Sequence, residues 1–434
     1  MQQSLQYELR APQAINGRIL LPASKSISNR VLAMGLLSGR GSSGAETGLY
    51  VPQNVSDCDD VRAMLGWMRP YFDQPAASGE RLVDIGAAGT AMRFSTALLA
   101  VLSGQWVITG SQRMKQRPIG VLVDALRTLG ADIRYAENDG FPPLRINGNP
   151  NLRGGDISLR GDVSSQFVSA LLMIGPVLAE GLRLTLTTDV ISRPYIDMTL
   201  SLMRQFGADA QWVDAKTISV APTGYQRRPF TVESDWSASS YWYELVALAP
   251  DEQSSVELPA LFAESLQGDS AVERIFRVFG VQTEYLDGGG VRISRATKPV
   301  TQLSLNMLEV PDLAQTVAVC SCMLGVPFCL SGLQSLRIKE TDRLAALSAE
   351  LSKLGCVLRV EDNSRLLWDG ERTAPQTQPA IDTYEDHRMA MAFAPAALRV
   401  PGLRINQPQV VSKSYPRFWD DLRQVGFQIS ETDF

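Results

Sequence analysis

The feature that most constrains this 434-residue chain is a punctuation mark that recurs along it. An apolar residue closes a helical stretch, a glycine follows, and a strand-like stretch usually comes next. The instances are Leu65-Gly66, Leu129-Gly130-Ala131-Asp132, Phe206-Gly207-Ala208-Asp209, Phe279-Gly280-Val281, Leu354-Gly355-Cys356-Val357 and Val425-Gly426-Phe427. Glycine after a helix accepts positive φ without steric cost, which makes it the common residue there. The glycines are 64, 77, 73, 75 and 71 residues apart. That period is longer than a solenoid repeat of about 20–50 residues. It suits a small α/β module of several strands and two helices. The first instance is the weakest, because Trp67-Met68-Arg69-Pro70 does not read as a strand. Six modules suggest two domains of three, and a single core rarely grows past about 250–300 residues. The dividing point is expected between Arg227 and Asp235. Ser42–Gly48 and Thr373–Pro379 read as surface loops.

Composition narrows the function. The apolar fraction is 45%, the charged fraction 20% and the formal net charge −5, which argues against a broad nucleic-acid-binding face. Five cysteines without a Cys-x-x-Cys, and a single histidine, His387, make a disulfide framework or a zinc site improbable. Met1–Arg10 has neither the basic nor the apolar region of a secretory leader, and no apolar run reaches the roughly 18 residues of a membrane span. A cytoplasmic location and no membrane partner are expected.

In an acidic chain, local cation clusters stand out. Arg337-Ile338-Lys339-Glu340-Thr341-Asp342-Arg343 precedes an apolar helical stripe, Leu344, Leu347, Leu351 and Leu354. With Thr341 as N-cap, Lys339, Glu340 and Arg343 surround a positive helix end, a place for an anion. Other helix starts repeat the theme. Ser24–Arg30 offers Ser26 as a cap with Lys25 and Arg30 beside it. Asp84–Arg93 is a Gly-rich turn with Thr90 as a cap and Arg93 in the first turn. Arg113–Ile119 places Arg117 before Pro118 at the first helical position. Ser164, Ser165 and Gln166 open an almost wholly apolar helix, Phe167–Leu178. Ser192-Arg193-Pro194, Pro311-Asp312, Glu385-Asp386-His387-Arg388 and Ser412-Lys413-Ser414 complete the set. Any one of these is ordinary capping or a solvated charge run. Together they describe a cleft that grips more than one phosphate or carboxylate. Asp312, Glu340, Asp386 and His387 are its acid–base candidates. Carboxylates among cations are held ionised, which leaves His387 and the lysines as the acids.

Taken together, Ser24–Arg30, Ala88–Arg93, Arg113–Ile119, Ser164–Phe167, Ser192–Asp197, Pro311–Asp312, Arg337–Leu344, Asp386–Ala392 and Lys413–Pro416 resemble the EPSP synthases (3-phosphoshikimate 1-carboxyvinyltransferases), over nearly the whole chain and in the family's order. The resemblance implies the two-domain α/β (α+β) enolpyruvyl-transferase fold, with three βαβαββ units in each domain and the active site in the interdomain cleft. It implies one domain from 1–21 plus 235–434 and another from 22–234. The implied reaction joins the 5-hydroxyl of shikimate 3-phosphate to C2 of phosphoenolpyruvate, then expels phosphate. It uses no cofactor and no metal, and the protein is expected to act as a monomer. Carried over position by position, Lys25, Ser26, Arg30, Ser164, Ser165, Gln166, Ser192, Asp312, Ser335 and Lys339 fall on shikimate-3-phosphate contacts. Lys25, Gly89, Arg117, Gln166, Arg343, Arg388 and Lys413 fall on phosphoenolpyruvate contacts. Asp312 would accept the hydroxyl proton, Glu340 and Lys25 would serve proton transfer at C3, and Arg337 and Asp342 would orient their neighbours. Ala87, Phe94, Ser335 and Trp236 depart from the family's pattern; the first two flank the loop that bears on phosphonate inhibitors, and Trp236 bears on closure. The alternatives are a UDP-N-acetylglucosamine enolpyruvyl transferase, against which the absence of a cysteine between Gly110 and Gly120 speaks, and a non-catalytic anion-binding paralogue.

Overall fold

The computed structural model describes residues 5–38, 48–73 and 79–433. Of the stretches read above, Met1–Ser4 and positions 42–47 of the expected loop lie outside them. Residues up to Pro22 and from Glu233 onward form one compact unit, and Ala23–Val232 form the other.

Each unit is built from one repeated motif. In the second unit, Glu80–Asp84, Gly89–Val101, Gly104–Thr109, Gly120–Thr128, Asp132–Tyr135 and Leu144–Gly148 run strand, helix, strand, helix, strand, strand. The first two strands are parallel (Leu82 opposite Val107), the last lies antiparallel on the second (Trp106 opposite Ile146), and the third takes the outer edge. The next module, from Gly155–Leu159 to Thr217–Val220, repeats the order. The first unit holds three such four-stranded sheets. One of them is completed by Leu5–Arg10, which pairs antiparallel with both Leu403–Asn406 and Gln428–Asp433.

Among the described residues the sixth module is reduced. Helices Lys25–Ser38 and Asp59–Asp73 are present, with a single parallel bridge, Gln53 to Thr231. Here the punctuation reading is corrected. Gly66 lies inside Asp59–Asp73 and ends nothing. Val61, Met64 and Met68 keep a buried stripe running through it, so packing carries the helix past the glycine. The other five glycines take φ of 97°, 84°, 85°, 83° and 100°. At Gly280 the need is steric as well: a Cβ would sit 2.0 Å from the Thr297 carbonyl oxygen.

In each complete module the first helix is the buried one. Gly89–Val101 and His387–Phe393 are buried at every position, and Trp236–Leu248 at all but Ser237. A helix apolar on all faces belongs in a core, and each fully buried Leu, Val or Phe there contributes about 1.5–3 kcal/mol. The second helices are amphipathic and cover the outside. The charged motifs fall at the starts of both kinds: Ser165, Ala314 and His387 open first helices, and Gly120, Arg193 and Arg343 open second ones.

The two glycine classes separate by substitution. Gly280→Ala is expected to cost about 1–3 kcal/mol, from positive φ and the Thr297 contact. Gly66→Ala, with open space around its Cβ, is expected to stabilise by about 0.5–1 kcal/mol. Thermal unfolding of the two variants checks both signs.

Candidate active site

In the first unit the site is organised on one side chain. Asp342, rather than Thr341, caps the helix Arg343–Lys353, its Oδ1 accepting the Ala345 N–H at 3.2 Å. Arg337 donates to Asp342 Oδ2 at 2.9 Å and also to Asn363, so this pair fixes the turn into the helix. Arg343 then enters the protein with only 2% of its side chain exposed. Its Nε and Nη2 donate to the two oxygens of Asp386 at 2.6 and 3.3 Å. Nη1 donates to Asp312 Oδ1 at 3.1 Å and Nη2 to Glu340 Oε2 at 3.0 Å. One guanidinium therefore holds three carboxylates, a use of its planar donor fork that lysine could not match.

The remaining cations attach to the outer faces of those carboxylates. Arg388 Nη2 donates to Asp312 Oδ2 at 3.0 Å, Lys339 Nζ lies 3.5 Å from Asp312 Oδ1, and Lys413 Nζ donates to Glu340 Oε1 at 2.7 Å. The cluster has one more cation than carboxylates. Burial alone would raise the Asp312 carboxyl, yet Arg388, Lys339 and Arg343 hold it well below the usual carboxylate range. Lys339 is lowered by burial and by the neighbouring Arg343 and Arg388, against the pull of Asp312 and Glu340. Asp386, fully buried, gives both oxygens to Arg343, and its Oδ1 also caps the helix His387–Phe393 through the Arg388 N–H at 2.9 Å. Both of its oxygens are thereby engaged, in Arg343 and in the helix start. His387 is buried in the first turn, with Nδ1 3.7 Å from Asp386 Oδ1. Ser335 lies in the short turn Gln334–Ile338.

In the second unit the helix starts converge on a different kind of centre. Ser24, rather than Ser26, caps the helix that begins at Lys25, accepting the Ile27 N–H at 3.4 Å. Ser26 instead offers its carbonyl to Arg30 Nη1 at 2.8 Å. Arg30 is 3% exposed. Its other hydrogen bonds go to Thr199 Oγ1 at 2.7 Å, Ser169 Oγ at 3.2 Å and the Tyr195 carbonyl at 3.3 Å, and its guanidinium lies 5.4 Å from the Phe94 ring. Burial pushes it down to about 10. The Phe94 ring thus lies against this cation.

The helix Gly89–Val101 is preceded by Ala88 at the N-cap position, so Thr90 is not the cap. The Thr90 hydroxyl instead accepts from Gln166 Nε2 at 3.1 Å. A Cβ on Gly89 would lie 2.5 Å from Arg117 Nη1 and 3.1 Å from Arg93 Nη1. Only glycine lets the two guanidiniums approach the helix start this closely. Pro118 does not occupy the first helical position; that helix begins at Gly120 after Ile119. Ser164 caps Ser165–Ile174, accepting the Gln166 N–H at 3.3 Å, and Ser192 precedes Arg193–Gln205 in the left-handed region at φ 54°.

Two further residues of the first unit were not found by sequence reasoning. Asp269 is buried and accepts a hydrogen bond from Ser237. Burial first, and then the Asp312 charge, push it up to about 6. Tyr241, one turn after Ser237 on Trp236–Leu248, shares a hydrogen bond with Arg388, and burial raises its hydroxyl. Trp236–Leu248 also carries Ser239, Ser240 and Glu244, so Ser237 and Tyr241 did not stand out on it, and Asp269 lies in a separate short turn, Gly268–Ala271. Trp236 is fully buried, and its backbone N–H donates to Gln267 Oε1 at 3.1 Å.

A family model described as EPSP synthase (3-phosphoshikimate 1-carboxyvinyltransferase) matches residues 9–422. The chain belongs to the EPSP synthase family. A 3-phosphoshikimate 1-carboxyvinyltransferase of Bacteroides fragilis is 53% identical over 98% of this chain and 99% of its own length. One of Shewanella denitrificans is 36% identical over 97% and 99%. Among solved structures, an EPSP synthase of Acinetobacter baumannii superposes with a TM-score of 0.73 at 21% identity, covering 99% of this chain and all of that one. The enolpyruvyl transferase NikO of Streptomyces tendae gives 0.71 at 16% identity, over all of both chains. These two establish the fold. Among the described residues, no helix of this EPSP synthase family member is long and apolar enough to cross a membrane.

The Asp269 environment has a pH consequence. Its folded pKa of about 6 lies above the unfolded value of about 4. Its contribution to stability is therefore greatest below pH 4 and is lost as pH rises to 6. Asp269→Asn removes that slope. The variant should gain about 2–3 kcal/mol relative to the parent between pH 4 and pH 7, read from urea unfolding at each pH.

Proposed function

We propose that this protein transfers the enolpyruvyl group of phosphoenolpyruvate to the 5-hydroxyl of shikimate 3-phosphate, releasing phosphate. The observation that carries the reading is the Asp312 carboxylate, ionised and held by Arg388, Arg343 and Lys339. Acidic and basic groups are thereby fixed before any anion arrives, which lowers the reorganisation needed during reaction.

In this mechanism Lys25, Ser26, Arg30, Ser164, Ser165, Gln166, Ser192, Ser335 and Lys339 hold shikimate 3-phosphate. Lys25, Gly89, Arg117, Gln166, Arg343, Arg388 and Lys413 hold phosphoenolpyruvate. Asp312 takes the proton of the 5-hydroxyl as its oxygen bonds to C2, while C3 gains a proton. The tetrahedral phospho-ketal then loses a proton from C3 and expels phosphate, restoring the double bond. Glu340 and Lys25 serve the C3 proton, and Lys413 holds Glu340 in place at 2.7 Å. Bound anions would draw Arg388 and Lys339 away from Asp312. Its pKa would rise, and the carboxylate would become a stronger base once substrates are in place. The protein is proposed to act in the cytoplasm as a monomer.

Phosphate release from phosphoenolpyruvate with shikimate 3-phosphate as acceptor is the expected result. Release with UDP-N-acetylglucosamine and none with shikimate 3-phosphate overturns the reading. Asp312→Ala should lose about a thousandfold or more in kcat while its circular dichroism is unchanged. Near-parental turnover in that variant removes Asp312 from the proton path.

A further inference from the structure

The segment that delivers Asp386 and Arg388 to the cluster has an unusual backbone. Tyr384 and Glu385, two consecutive residues that are not glycine, stand in the left-handed region with φ of 53° and 56°. Such a pair is disfavoured for L-residues and persists only where its surroundings impose it. The surroundings here are specific. The buried Glu350 side chain accepts the Tyr384 hydroxyl at 2.7 Å and the Asp382 N–H at 3.0 Å. Lys353 Nζ sits 2.7 Å from the same carboxylate, and also bonds Asp382 Oδ2 and the Ala380 carbonyl, each at 2.9 Å.

Glu350 follows Arg343 by two helical turns, on the same face of Arg343–Lys353. One helix therefore grips the incoming segment twice, by Glu350 at Asp382 and Tyr384, and by Arg343 at Asp386. Between the two grips lies the left-handed turn, closed by the Asp386 N–H on the Thr383 carbonyl at 2.8 Å.

We propose that Glu350 and Tyr384 are positioning residues: the Glu350 carboxylate, through the Tyr384 hydroxyl, holds the left-handed turn that sets Asp386 and Arg388 against Arg343 and Asp312. The inference rests on the assignment of Arg343 and Arg388 to phosphoenolpyruvate. Neither Glu350 nor Tyr384 touches substrate in this scheme.

The test uses three substitutions at Tyr384, which is 39% exposed and so tolerates change. Tyr384→Phe removes only the hydroxyl. Tyr384→Ala removes the side-chain grip and keeps the left-handed strain, whereas Tyr384→Gly removes the grip and relieves the strain. The expected order of kcat/KM for phosphoenolpyruvate is parent, then Phe and Gly, then Ala. Ala should fall by about tenfold, mostly in KM, and the KM for shikimate 3-phosphate should stay within about twofold. Amide hydrogen exchange at Asp386 and Arg388 is the second readout. It should quicken by about tenfold in Ala and by clearly less in Gly. Equal effects of Gly and Ala, a larger effect of Gly, or no effect of Phe overturns the proposal. Absence of turnover in the parent protein would instead count against the functional reading, and the exchange order would still decide the role of the turn.

Discussion

The structure of the first unit depends on the Arg343 guanidinium. Buried and bonded to Asp312, Glu340 and Asp386, it brings together side chains from three separate stretches of chain. A buried charge of this kind is stable only when its hydrogen bonds are made with good geometry. That demand runs in both directions. Arg343 requires the three carboxylates, and their positions then fix Arg388, Lys339 and Lys413 on the outside of the cluster. The result is four cations around three carboxylates, with a surplus of one positive charge.

The second unit meets a related problem differently. Arg30 is held by hydroxyls, carbonyls and an aromatic face. Neutral partners orient the guanidinium and leave its charge uncompensated, which favours an anion nearby. Arg93 and Arg117 approach the start of a helix at Gly89, where the helix dipole has the same sign. One unit thus balances its buried cluster of cations against carboxylates, and the other holds Arg30 by neutral groups.

Much of this was legible from the chain. The Gly punctuation at 130, 207, 280, 355 and 426 marks real helix ends, because positive φ is a local property that glycine satisfies in any context. Gly66 broke the rule because a buried apolar stripe continued through it, and packing outweighs propensity. The cap assignments slipped by a residue or two, at Asp342, Ser24, Ala88 and Ile119. Where several capping residues are adjacent, the choice among them is made by the path of the incoming chain, which local sequence does not specify.

The sequence by itself determined the repeated module, the family, and the identity of the charged residues at each helix start, because periodicity and motif spacing are properties of the chain. Tertiary structure alone decided which of those charges meet. It set Asp386 against Arg343, placed Phe94 against Arg30, and brought Asp269 and Tyr241 beside Asp312 and Arg388. The reason is physical: whether a carboxylate is a base, a cap or a buried neutral acid depends on desolvation and on charges a few ångströms away, and those neighbours come from distant parts of the sequence.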